Sequence, residues 1–336
     1  MRKNLFLLVM GIIFALALAG CGQKNQEDVV SSLKEKVDQM TSYKADAKMT
    51  LQTGNEPQEY EVEIWHKKPT YYRVNLKNVQ KDQNQMIIRN DEGVFVLTPA
   101  LNKSFKFQSD WPLNSSQPYL YESLVEDILS DPEATFKAED DSYVFETKTN
   151  YQNNKMLPKQ EITLNKKDLA PVIVKVMDPD RKPLVVVDFS NVEFNVTFDE
   201  GAFDVKKNMT RSQLDVPTMA EVSDRPLTVM YPLVQPAGVE LIEEKEIEIE
   251  NGKRIIMTFG GEKSFTLVQE SAQVAEVATT TFVSGEPVDL GFTVGALTEN
   301  SITWSYQGVD FMLASEDLTQ EELIMVAGSV QGQVVK

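Results

Sequence analysis

Residues 59–77, EYEVEIWHKKPTYYRVNLK, decide how the chain folds. Apolar and charged residues alternate on both sides of HKKPT (66–70), the period of two antiparallel strands with one face in a core and the other in water. With HKKPT as the loop, Trp65 stands opposite Tyr71, Glu63 opposite Arg73, Glu61 opposite Asn75 and Glu59 opposite Lys77. That face carries two opposite-charge pairs and one aromatic pair. The other face sets Ile64 against Tyr72, Val62 against Val74 and Tyr60 against Leu76. A slip of one residue would turn every apolar side chain outward, so the pattern fixes which face is inside.

The same period runs outward over residues 44–198, in about eleven strand-like segments: KADAKMTLQT, EYEVEIWH, YYRVNLK, QMIIRN, VFVLT, SFKF, YVFETKT, QEITL, PVIVKVMD, LVVVDF and NVEFNVTF. Turn-forming stretches such as NDEG (90–93), PALNK (99–103) and DPDRKP (178–183) separate them. The chain therefore reads as an antiparallel meander. Val30, Leu33, Val37 and Met40 predict one amphipathic helix before it, with Glu27 and Asp28 at the positive end of its dipole. The meander breaks once, at 109–133, where Leu120, Leu124 and Ile128 share a helical face that must pack on the sheet, as core or as a lid.

Near residue 205 the periodicity fades and two prolines follow, so residues 208–221 read as a linker. Beyond it lies a small α+β domain (222–336). VELIEEKEIEIENGKRIIMTF (239–259) is a hairpin around an NG turn, further strands follow, and Leu318 or Thr319 caps a last helix that turns Leu323, Val326 and Ala327 inward.

The chain begins with Arg2 and Lys3, an apolar run from Leu5 to Ala19, and then its single cysteine, Cys21. That run is too short to span a membrane and has the order of a secretory signal. LAGC (18–21) resembles the lipobox of bacterial prolipoproteins. The resemblance implies a signal peptide at 1–20, a lipidated Cys21, a tether at 21–26 and a membrane anchor on the outer face of the cytoplasmic or forespore membrane. After loss of Arg2 and Lys3, 31 of the 33 basic residues remain against 51 acidic ones, a net charge of −20. Such a charge argues against nucleic acid and against lying flat on anionic lipid. With one cysteine there is no internal disulfide.

A search for chemistry is negative. His66, the only histidine, falls in the expected loop, either as a solvated residue or as a lone base with no recognisable partner. The acidic runs 139–141, 178–180 and 243–250 lack the spacing of a calcium loop, and no glycine-rich phosphate loop is present. No catalytic residue, metal ligand or cofactor site is assigned. What remains is apolar surface: Tyr60, Val62, Ile64, Tyr72, Val74, Leu76, Val94, Val96, Phe105 and Phe107 share one concave face. It is either a filled core or an incompletely filled half-barrel that accepts a lipid chain.

The helix at the start, residues 43–76, MIIRNDEGVFVLTPALNKSFKF (86–107) and FDEGAFDV (198–205) together resemble the outer-membrane lipoprotein carrier (LolA-like) superfamily. The likeness is to its lipid-anchored members from Gram-positive spore formers, and it covers residues 27–207. It implies an α+β, mainly antiparallel fold: an unclosed half-barrel of about eleven strands covered by helices, binding acyl chains on its concave face. Residues 226–241, 302–315 and 318–330 resemble a small domain of extracytoplasmic regions, some of them in sigma-factor regulators. Two functions follow. One is a tethered binder of lipid or lipoprotein linked to sporulation. The other is a filled-core interaction module, partner of an anti-sigma-type regulator or a cell-wall enzyme, with Trp65 and Tyr71 as an exposed aromatic surface or as ordinary cross-strand packing.

Overall fold

Asn25 closes a capping box with Asp28, and from it helix α1 (Gln26–Gln39) runs with Val29 and Leu33 fully buried. The computed structural model describes residues 24–332 except 53–56, 80–82, 114, 152–154, 215–226, 250–251, 276 and 291. Cys21 and the apolar run before it lie outside the described residues. Among the described residues no helix is long and apolar enough to cross a membrane.

Eleven strands follow α1: β1 (Ser42–Leu51), β2 (Gln58–Lys67), β3 (Tyr71–Asn78), β4 (Gln83–Asn90), β5 (Gly93–Thr98), β6 (Lys103–Phe107), β7 (Thr135–Ala138), β8 (Ser142–Lys148), β9 (Lys159–Asn165), β10 (Pro171–Met177) and β11 (Pro183–Phe194). Helix α2 (Tyr121–Ser130) separates β6 from β7, and α3 (Val205–Leu214) follows β11. In space the strands run β6-β5-β4-β3-β2-β1-β11-β10-β9-β8-β7, every neighbouring pair antiparallel. The sheet is open, with its apolar concave face under α1 and α2.

The second part holds β12 (Met230–Pro232), β13 (Val239–Ile249), β14 (Gly252–Gly261), β15 (Phe265–Ser271), β16 (Thr279–Val283), β17 (Glu286–Asp289), β18 (Val294–Leu297), β19 (Ser301–Tyr306), β20 (Val309–Ala314), α4 (Gln320–Gly328) and β21 (Val330–Gly332). Seven of these strands form an antiparallel sheet in the order β13-β14-β15-β20-β19-β18-β17. Thr319 and Glu322 make the capping box of α4, and Leu323, Val326 and Ala327 are buried as expected. Strand β16 leaves this sheet and pairs parallel with β6, as a twelfth strand of the first one. No sequence pattern announces that excursion.

Four expectations need correction. In the β2–β3 hairpin Ile64 faces Val74, Val62 faces Leu76 and Trp65 faces Arg73, a register two residues from the one read off the sequence. Strand β2 runs on through His66 and Lys67, and the turn is confined to Lys68–Thr70; two is the pleat period, so each side chain keeps its face. Lys68, read as loop polarity, donates to the Val37 and Asp38 carbonyls at the end of α1, at 2.6 and 2.8 Å. The strand count of eleven conceals two offsetting errors. LVVVDF and NVEFNVTF form one strand, β11, bulged opposite Lys44–Asp46, while four-residue β7 carries too little pattern to be seen. The segment read as a linker at 208–221 starts inside α3, whose Met209 seals Met86, Ile88, Phe95 and Leu97 on the convex face; residues 215–221 lie outside the described residues.

Leu33 is fully buried between α1 and the sheet. Leu33→Ala is expected to cost about 3 kcal/mol of stability, read as a lower urea midpoint with unchanged slope.

Candidate functional site

Nine of the ten residues placed on the concave face by the sequence are buried at 8% exposure or less, and Phe105 is half-buried. Leu120, Leu124 and Ile128 lie over them, also buried, so α2 is part of the core over this stretch. Trp111 meets Tyr72 edge-on, ring centres 5.9 Å apart. The second sheet completes the cover: Tyr306 OH donates to Gln58 Oε1 at 2.9 Å, and Tyr60 OH lies 3.3 Å from the Phe292 carbonyl. One continuous apolar core thus runs from α1 through the half-barrel into the second sheet.

A section of the concave face stays unfilled. A cavity of about 560 Å³ sits between Val96, Phe105 and Phe107 on one wall and Ile256, Val268 and Trp304 on the other. The Lys103–Asp310 pair, 3.1 Å apart, and the Arg254–Glu270 pair also line it.

His66 is 1% exposed, which corrects its placement in a solvated loop. Its Nδ1 lies 3.0 Å from the Tyr71 carbonyl and its Nε2 2.6 Å from Glu122 Oε1. A hydrogen bond to the Tyr71 carbonyl and a close contact with the Glu122 carboxylate hold the ring. Helix α2 has no side-chain cap at Leu120; Tyr43 from β1 supplies an acceptor instead, its OH receiving the Tyr121 N–H at 3.1 Å. Burial, and next the Glu122 carboxylate, push the Tyr43 hydroxyl well above the ordinary phenol range. The single histidine is therefore a latch between β2 and the first turn of α2. Among the described residues no group of three His, Cys, Asp or Glu could hold a metal.

Asp127, on α2, is buried and accepts from Ser116 Oγ at 2.9 Å and Gln160 Nε2 at 2.5 Å. Desolvation dominates those bonds and raises its pKa from 3.8 to about 6. No spacing rule in the sequence marks it, because its partners come from distant segments.

Trp65 and Tyr71 do not form an exposed pair. Trp65 stacks on Phe198 at 5.2 Å with the Arg73 guanidinium 4.0 Å from the centre of its ring, and Tyr71 packs on Phe203 at 5.6 Å and bonds to Asp91. The chain after β11 folds back over this face, which hairpin register alone does not reveal.

The described residues thus form a half-barrel packed by its own helices and by a second sheet. The model of one family, described as sporulation protein YdcC-like, matches residues 1–203, and the chain belongs to that family. Over 335 residues it is 61% identical to sporulation protein YdcC of Bacillus subtilis, spanning 100% of this chain and 99% of the relative. Among solved structures it is similar to the MucA/MucB complex of Pseudomonas aeruginosa, at 14% identity and TM-score 0.34, over 91% of this chain and 99% of the other. A LolA superfamily protein from Nitrosomonas europaea is 13% identical with TM-score 0.31, over 53% of this chain and 98% of the other.

His66→Ala removes both the Tyr71 carbonyl's partner and the ring packed against Glu122 and Tyr72, and is expected to cost about 3 kcal/mol in urea unfolding, with His66→Gln recovering part of the loss. For Asp127 the folded pKa lies above the unfolded one, so its contribution is complete below about pH 4 and is lost as pH rises toward 6. Asp127→Asn is therefore expected to gain about 2 kcal/mol on the native protein between about pH 4 and pH 7.5, measured as the difference in urea midpoints at the two pH values.

Proposed function

We propose that this protein is a lipid-anchored, non-catalytic interaction module of the envelope in sporulating cells, binding a protein partner rather than carrying acyl chains. The filling of most of the concave face is the observation that supports it: Tyr60, Ile64, Val74 and Val94 are sealed under α1, α2 and the second sheet. A carrier needs that face open to a chain. The anchor rests on the signal-like run and LAGC (18–21), and the sporulation setting on the family. The partner classes to expect are an anti-sigma-type regulator or a cell-wall enzyme. The cavity at Val96, Phe105 and Phe107 favours a second reading, in which one acyl chain enters there.

Native mass spectrometry of residues 24–336, delipidated and then offered a diacylated lipopeptide, separates the two. The expected result is a folded protein with no stoichiometric complex, together with recovery of one defined envelope protein by crosslinking in sporulating cells. A one-to-one lipopeptide complex that disappears in Thr281→Trp, which fills the cavity, would replace the module with a carrier.

A further inference from the structure

Strand β13 is eleven residues long, stands at the end of its sheet, and among the described residues pairs only with β14. Val239 is buried, while the rest of the strand is exposed or, at Ile249, half-exposed. Leu241, Ile242 and Ile247 stand 42%, 69% and 43% exposed. Long edges with exposed aliphatic side chains are templates for another strand, and edges are kept single by shortness, by proline or lysine, by bulges that twist them away, or by a covering element. Here the bulge near Ile242 is followed by seven residues of regular pairing, Glu243 to Ile249.

Those seven residues sort cleanly by face. Glu244, Glu246 and Glu248 share a side with Met257, Ile255 and Lys253 of β14, and Glu243, Lys245, Ile247 and Ile249 share the other with Thr258, Ile256, Arg254 and Gly252. A strand added to this edge would meet a row of three carboxylates on one face and, on the other, the mutually paired Glu243 and Lys245 followed by Ile247 and Ile249. Cross-strand neighbours of opposite charge stabilise and like charges destabilise. A symmetric antiparallel dimer keeps the same face up in both copies and sets glutamate row against glutamate row, so a second copy is disfavoured.

We infer that β13 is a docking edge for an extended segment of a partner protein in which lysine or arginine alternates with aliphatic residues, added as the next strand of the second sheet. Main-chain hydrogen bonds supply affinity, and alternation supplies specificity. This rests on the interaction-module reading and names the surface that carries it.

The test uses the full chain and a labelled peptide of about seven alternating lysines and valines, followed by fluorescence anisotropy at about 0.15 M salt. Two controls have the same charge: a block peptide with lysines and valines segregated, and the alternating peptide N-methylated along one edge. The expected result is binding of the alternating peptide that weakens at least about tenfold in both controls and in the double variant Glu246→Lys/Glu248→Lys. Equal binding of all three peptides, which is surface charge alone, or binding of none, overturns the proposal. If the crosslinked envelope partner is still recovered from the double variant, the module reading stands and β13 is excluded. If no partner is recovered from either protein, the module reading itself fails.

Discussion

The pairing of β1 with β11 holds the first sheet together. Strand β1 is bonded on one side to its neighbour in sequence, β2, and on the other to a strand about 140 residues later, in a register running from Tyr43↔Phe194 to Leu51↔Val185. Without that second ladder the chain would be two separate meanders, β1 to β6 and β7 to β11, each with an apolar face too narrow to take a helix. Closing so long a loop is entropically costly and slow, so it must be repaid by burial that only the joined sheet provides. The joined concave face provides it: α1 and α2 bury Val29, Leu33, Leu124 and Ile128 against residues from both halves.

The helix contacts follow from this geometry. His66 and Tyr43 stand opposite each other on β2 and β1, and both reach the first turn of α2, one through Glu122 and the other through the Tyr121 N–H. A helix without a cap of its own is thereby positioned by the sheet it covers. The result is a half-barrel filled under α1 and α2, with a cavity where β5, β6 and β16 meet the second sheet.

Period-two alternation makes the strands, the inward face and the antiparallel order legible in the sequence itself, because side-chain alternation reports directly on burial. What it does not report is set by contacts distant in sequence. The hairpin register read from the pattern is off by one pleat period because Lys67 and Lys68 look like loop polarity, although Lys68 serves the end of α1. His66 reads as solvated for the same reason. Trp65 and Tyr71 do lie off the core face, as the alternation requires, but the return of Phe198 and Phe203 over them has no local signature. The ten concave residues are legible, yet whether they enclose space depends on Phe292 and Tyr306, more than 180 positions beyond the nearest of them.

Strand β16 ties the two halves in time as well as in space. It supplies the outer neighbour of β6 from a point far later in the chain, after β13, β14 and β15 of the second sheet. During synthesis the N-terminal sheet is born with that border bare and stays so until residues 279–283 arrive. A nascent chain stalled before then would expose an unsatisfied ladder next to the apolar side chains of β5 and β6. The border of the N-terminal sheet therefore depends on residues that the C-terminal half supplies.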